Sequence, residues 1–206
     1  MEQINIKKEI LYWCKTVMVV VAFSILFTVF IFQPYAVSGS SMEPTFNGHD
    51  PEDYDKPGDR VFIFKTPYLL GVEPDYGDMV IVDSNINKDR TLIDDFLDNP
   101  IIRTVVNSNE DKNRYWIKRV IGKQGDQLEF IEGKVYRNGE ELEESYIKET
   151  MMFPFESIVV TENHVFVMGD NRNGSFDSRH IGPLPIDHLI GKVSMRYYPL
   201  NKISIY

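Results

Sequence analysis

The chain is short of cysteine: one residue, Cys14, among 206. It stands before the longest apolar run, so everything beyond that run is cysteine-free. This excludes a disulfide within the chain and a cysteine-based metal site. A cysteine beside a membrane segment also argues against a thiol protease. Cations are scarce: 22 Lys and Arg against 31 Asp and Glu, a formal net charge of -9. A general nucleic-acid binder would present a basic face, so that function is disfavoured. The H-E-x-x-H pattern is missing, which disfavours a zinc protease of that type. None of the four histidines, His49, His164, His180 and His188, accompanies a G-x-S-x-G elbow, because no such elbow exists. There is no internal repeat and no low-complexity tract.

Charge is absent altogether from Thr16 to Met42. The most apolar part, Val17 to Phe32, is close to the lower length limit of a helical span. Leu11, Tyr12 and Trp13 extend it, since Lys15 can snorkel. Trp13 and Tyr35 stand where interfacial aromatics stand. Pro34 disfavours helix at Gln33. The expected anchor is 16–33. Lys7, Lys8 and Lys15 precede it, and the next cation is Lys56. The positive-inside rule then puts residues 1–15 in the cytoplasm and 36–206 outside, giving a single-pass cell-membrane protein. The rival is a cleaved signal peptide with Ala36-Val37-Ser38 as its cleavage site, but its apolar core would be shorter than this run. A buried core helix fits the cationic flank less well.

Beyond Pro34 the pattern turns to short strands and turns. Aromatic residues, 13% of the chain, favour strands. The expected strands are Arg60–Lys65, Met79–Asp83, Tyr115–Gly122, Leu128–Ile131, Lys134–Arg137, Ser157–Val160, His164–Met168 and Leu189–Tyr198. Glu132-Gly133 and Asn138-Gly139 read as hairpin turns, and Glu162-Asn163 as the joint of another pair. The expected fold class is mainly β: one N-terminal transmembrane helix, then a β-sheet domain, with 127–156 as a small second lobe. Residues 84–113 break the strand rhythm and read as an insertion. Within it Leu92, Ile93, Phe96 and Leu97 share one helical face, and Asp94, Asp95 and Asp98 turn away from it. Two apolar stretches, Pro67–Leu70 and Met151–Phe155, lack an obvious place in a core; either one of them touches the membrane or they pack between lobes.

Four clusters bear on chemistry. SGSSMEPTF, Ser38 to Phe46, is on its own a serine-rich turn. YWIKRVIG, Tyr115 to Gly122, puts a lysine inside an apolar strand. By alternation Lys118 sides with Trp116 and Val120, and Arg119 with Ile117 and Ile121. Lys118 is therefore either an edge residue that snorkels or a desolvated amine with a lowered pKa, as a lysine base requires. GDNRNGSFDSR, Gly169 to Arg179, is dense in turn formers. It fails as a calcium loop starting at Asp170, because Arg172 takes the third position and no Glu closes it. YGDMVIVD, Tyr76 to Asp83, is a turn entering a strand.

Taken together and in order, SGSSMEPTF, YGDMVIVD, WIKRVIGKQGD and MGDNRNGSFDSRHIGPLP resemble the bacterial type I signal peptidases, the peptidase family S26. The single short anchor is more similar to the Gram-positive type. The resemblance implies a membrane-bound serine endopeptidase that removes signal peptides from exported preproteins after small residues. Ser41, of Ser41-Met42-Glu43-Pro44, would be the nucleophile and Lys118 the general base. Ser175 would orient the lysine amine, with Asp177 and Arg179 as an ion-paired brace and Asp170 and Arg172 structural. The Ser41 N–H would be one oxyanion donor. Some members carry a serine two positions before the nucleophile as a second donor; here that position is Gly39. The implied partners are preprotein signal peptides and the lipid bilayer, with no nucleic acid, no metal and no cofactor. Ser41 follows Phe32 closely enough to lie within about 30 Å of the span. The alternative is a membrane-anchored β-domain that binds a partner without catalysis; it has no need of a lysine in an apolar strand.

Overall fold

The computed structural model describes residues 6–49, 58–86, 88, 90–99, 102 and 114–206. Helix α1, Ile6–Phe30, is long and apolar enough to cross a membrane. Its side chains are exposed apart from its last turns, where Val29 is buried. The helix stops three residues earlier than expected. Phe32 and Gln33, counted in the anchor from sequence, instead open strand β1, Phe32–Ala36. Two causes are visible. Pro34 keeps Gln33 extended, and Phe32 stacks on Phe64 at 5.0 Å between ring centroids. Pro34 is tolerated because β1 is an edge strand.

The main sheet holds β1, β2 (Arg60–Phe64), β3 (Met79–Asp83), β4 (Tyr115–Lys123), β9 (His164–Met168), β10 (Leu184–Pro185), β11 (Leu189–Tyr198) and β12 (Ser204–Ile205). Its order is β1-β2-β11-β3-β4-β9-β10, with β12 on β11, and every pairing is antiparallel. Short helix α2, Thr66–Leu69, follows β2, and α3, Leu92–Leu97, lies between β3 and β4. The second sheet contains β5 (Gln127–Ile131), β6 (Lys134–Arg137), β7 (Glu140–Glu141) and β8 (Ile158–Val159). This sheet spans 127–159, three residues past the 127–156 read from sequence as a small lobe. The hairpins at Glu132-Gly133 and Asn138-Gly139 form with φ positive at all four residues, as the tight primed turns require.

Glu162-Asn163 is not a hairpin turn. β8 pairs with β5 in the small sheet and β9 with β4 in the large one, so this turn crosses between sheets. Local sequence marks a turn and cannot say which sheet the next strand joins. Of the insertion, Ser84 and Arg114 close its base by a backbone bond of 2.9 Å; most of 100–113 lies outside the described residues. Of the two apolar stretches Pro67–Leu70 and Met151–Phe155, Tyr68, Met151 and Phe155 pack on core clusters, while Leu70, Met152 and Phe153 are exposed.

One apolar cluster bears on the site. Val37, Met42, Phe46, Val61, Ile63, Ile81 and Ile117 are buried together. Met42 and Phe46, 1% and 0% exposed, plug the loop that carries Ser41 into this core. Burial of each such side chain is worth about 1.5–3 kcal/mol, so the loop is held by its own sequence neighbours.

Candidate active site

Lys118 lies in the middle of β4, opposite Val80 of β3. It does not snorkel: the side chain is buried, although Lys118 stands just before the part of β4 that β9 covers. Both cations of the Lys-Arg pair are buried, at 3% and 8% exposed. They are satisfied differently. Arg119 makes a two-pronged pair with Asp170, at 2.8 and 2.7 Å, donates to the Gly77 carbonyl at 2.8 Å, and lies over the Tyr146 ring. Lys118 Nζ meets Ser41 Oγ at 2.9 Å. Burial pushes the Lys118 amine down to about 8 from 10.5, with Asp177 pulling it upward, Arg179 down and Asp170 up.

Ser41 sits in the loop between β1 and β2. Three bonds from the Gly169–Arg179 loop fix its surroundings. Asn171 N–H donates to the Ser41 carbonyl, and Asn171 Nδ2 to the Ser40 carbonyl, each at 3.0 Å. Thr45 Oγ1 donates to Asp170. The Ser40 carbonyl and the Ser41 N–H belong to one planar peptide and point to opposite sides of it. Asn171 therefore aims the Ser41 N–H away from itself. Among the described residues that N–H has no acceptor.

Asn171 escaped the sequence reading. It is one of several turn formers in its loop, and nothing in its spacing marks it. Gly169 was equally silent. A Cβ there would lie 2.4 Å from both the Ser41 carbonyl oxygen and Ser175 Oγ, so the loop reaches the serine only because residue 169 has no side chain.

Ser175 Oγ is buried and donates to Asp177 Oδ2 at 2.7 Å; Lys118 is not among its partners. Asp177 is fully buried and also accepts from the Gly169 N–H and from Arg179 Nε and Nη2, at 3.0, 2.8 and 2.8 Å. Burial alone would raise its carboxyl, but the Arg179 guanidinium outweighs that and holds it below its ordinary value. Asp177 also caps helix α4, Ser178–Ile181. Arg172 donates to the Gly169 carbonyl at 3.0 Å and forks onto Glu144 of the small lobe at 2.9 and 2.6 Å. The predicted loop residues thus form one buried, charge-balanced frame behind Ser41 and Lys118.

In front of them lies a cavity of about 420 Å³. Its walls include Tyr35 and Ala36 of β1, Gly39 of the serine loop, and Tyr115 to Lys118 of β4. Gly39 has φ +72 and open space where a Cβ would stand. β9 pairs with β4 only from Arg119 onward, so on that side β4 runs on past the end of β9.

A buried amine of lowered pKa, in contact with a serine hydroxyl and facing a cleft, is an arrangement for nucleophilic attack. Comparison with known proteins shows the family. Residues 10–198 match the family described as signal peptidase, peptidase S26. Signal peptidase I of Bacillus licheniformis is 30% identical, over 97% of this chain and 94% of that one. Signal peptidase IB of Staphylococcus aureus (strain COL) is 30% identical, over 96% of this chain and 94% of that one. Thylakoidal processing peptidase 1 of Arabidopsis thaliana is 34% identical over 92% of this chain, which spans about half of that protein (49%). With the match covering most of its length, the chain belongs to the peptidase S26 signal peptidase family.

Proposed function

We propose that the protein is a signal peptidase I: a serine endopeptidase, anchored by α1, that cuts signal peptides from preproteins at the outer membrane surface. The contact between Ser41 Oγ and a desolvated Lys118 amine, 2.9 Å, carries the reading. Neutral Lys118 takes the Ser41 proton as Oγ attacks the scissile carbonyl. The developing oxyanion meets the Ser41 N–H, which Asn171 aims. Collapse of the tetrahedral adduct breaks the C–N bond, and Lys118 returns the proton to the leaving amine. Water, deprotonated by the same amine, then hydrolyses the ester.

The substrate lies beside Ile117 and Lys118, where β4 runs past the end of β9, as an added strand, which places alternate side chains in the cavity. Small residues fit there because Tyr35 and Tyr115 pack edge to face across it, ring centroids 6.3 Å apart. α1 supplies the membrane, and its cationic flank, Lys7, Lys8 and Lys15, sets the N-terminus in the cytoplasm. The Asp177–Arg179–Ser175 frame supports the Lys118 and Ser41 backbone from behind.

The test is cleavage of a purified preprotein by the full chain in lipid vesicles, with the product's new N-terminus read by mass spectrometry. One cut after a small residue is expected, unaffected by chelators and abolished by Ser41→Ala. Retained cleavage by Ser41→Ala would overturn the assignment.

A further inference from the structure

Helix α3 is built inside out. At 100° per residue, Ile93, Phe96 and Leu97 fall within an arc of about 100°, opposite Asp94, Asp95 and Asp98. A helix that covers a core in water turns the apolar arc inward. Here Asp95 and Asp98 are each 5% exposed, whereas Ile93, Phe96 and Leu97 are 69%, 41% and 45% exposed.

The inversion is locked by charge. Asp95 lies 3.0 Å from the fully buried Lys65 amine, and one Arg90 nitrogen reaches Asp95 and Asp98, both at 2.9 Å. Arg90 also holds Asp83 at 2.8 Å, at the end of β3. Rolling the helix to hide its apolar side would strip these carboxylates of their partners, so the apolar side must be covered from outside.

What covers it follows from where α3 is attached. Asn99, just past the helix and 0% exposed, donates from Nδ2 to Thr28 Oγ1 at 2.7 Å. Thr28 belongs to α1 and stands two residues before its end, about 3 Å along the axis. The neighbouring chain grips the same end: the Lys65 N–H donates to the Ile31 carbonyl at 2.9 Å, and Thr66 Oγ1 to the Phe30 carbonyl at 2.8 Å. A helix docked on the last turns of a membrane span lies at the boundary between acyl chains and headgroups. Exposed apolar side chains at that depth meet lipid.

We propose that α3 is an interfacial helix, with Ile93, Phe96 and Leu97 set into the leaflet that surrounds the C-terminal end of α1. The partner is the lipid bilayer, and the proposal rests on the reading of α1 as a membrane span. Helix α3 then acts as a second foot. One helix alone would leave the catalytic domain free to swivel and tilt. Two points of attachment fix the height and direction of the cleft, whose wall at Tyr115 lies 6.0 Å from the Arg90 guanidinium.

Fluorescence quenching tests this in the full chain. In a Cys14→Ser background, single cysteines at Ile93, at Val20 in α1, and at Glu140 are labelled with an environment-sensitive fluorophore. Glu140 follows the turn that Asn138 ties to Asp126, at the other end of β4 from Tyr115. The proteins are placed in phosphatidylcholine–phosphatidylglycerol vesicles carrying nitroxide lipids. The Ile93 label is expected to be quenched at least about twofold more than the Glu140 label, most strongly by a shallow nitroxide. Strong quenching at Val20 with Ile93 no different from Glu140 overturns the proposal and leaves the anchor standing. No quenching at Val20 overturns the anchor and the proposal with it. An Ile93 label shielded from nitroxide lipid in a way that depends on protein concentration would point to a second copy as the occupant and equally overturn it.

Discussion

Two buried lysines, Lys65 after β2 and Lys118 within β4, stand in different surroundings. Lys65 is 0% exposed and Lys118 is 3% exposed. Burial pulls both amines below the ordinary lysine value. The partners differ. Lys65 faces Asp95 at 3.0 Å inside a cluster of three cations, Lys65, Arg90 and Arg114, and three carboxylates, Asp83, Asp95 and Asp98. Lys118 faces a hydroxyl, and its nearest carboxylate influence, Asp177, is already committed to Arg179. Desolvation alone therefore does not make a base. A buried lysine becomes one when the groups around it leave its charge without a carboxylate of its own.

The largest effect should come from breaking the Lys118 side. Lys118→Arg keeps a cation but cannot accept a proton, and preprotein cleavage should fall by on the order of a thousandfold or more. Lys118→Met should be as inactive yet melt no lower than the unaltered protein, because a buried charge without an ion-pair partner is removed. A cleavage rate for Lys118→Arg within tenfold of normal would refute the assignment of the base.

The pH dependence sharpens the same point. In the proposed mechanism only neutral Lys118 takes a proton, and with its amine at about 8, roughly one molecule in ten is competent near pH 7. The rate should climb about tenfold per pH unit below that midpoint and level off above it. Asp177 pulls the amine upward, so Asp177→Asn should move the midpoint to lower pH. The plateau should also drop, since the frame around Gly169 and Ser175 is weakened. A lower plateau with an unmoved midpoint would make Asp177 purely structural. The amine's preference for the neutral form in the folded state also means that folding stability should rise with pH between about 8 and the ordinary lysine value.

A smaller loss should follow Asn171→Ala. The Ser40–Ser41 peptide would lose one of the bonds that aim its N–H, and kcat should fall by about 10- to 100-fold with KM little changed. A rise in KM alone would assign Asn171 to substrate binding instead.

Much of this was legible in the sequence, in a specific way. A lysine in YWIKRVIG announced a choice between a snorkelling edge residue and a desolvated amine, and the structure buries the amine even though β9 pairs with β4 only from Arg119 onward. The turns at Glu132-Gly133 and Asn138-Gly139 were readable because positive φ restricts residue choice. α3 was readable as a helix with two faces, but period does not say which face is inward; that depended on Lys65 and Arg90, brought in from outside the helix itself. Gly169 and Asn171 matter through distances to Ser40 and Ser41, more than 125 positions away, and no local pattern encodes such a contact. Strand β1 was hidden inside what reads as the end of an anchor.

The Lys65 side should give the smallest effect on activity and the largest on stability. Lys65→Met leaves the cluster with three carboxylates against two cations, and breaking a buried pair of this kind costs about 3 kcal/mol. Cleavage per folded molecule should stay within about threefold, because nothing in the cluster touches Ser41 or Lys118. Charge balance then makes a further demand. Lys65→Met with Asp95→Leu restores two cations, Arg90 and Arg114, against two carboxylates, Asp83 and Asp98, so at least half of the lost stability should return. The equivalent rescue has no counterpart at Lys118, where no single acid answers the amine. If the double variant melts below Lys65→Met alone, the cluster is held by Asp95 itself, through Arg90, rather than by charge balance, and the contrast between the two lysines would rest on geometry instead of electrostatics.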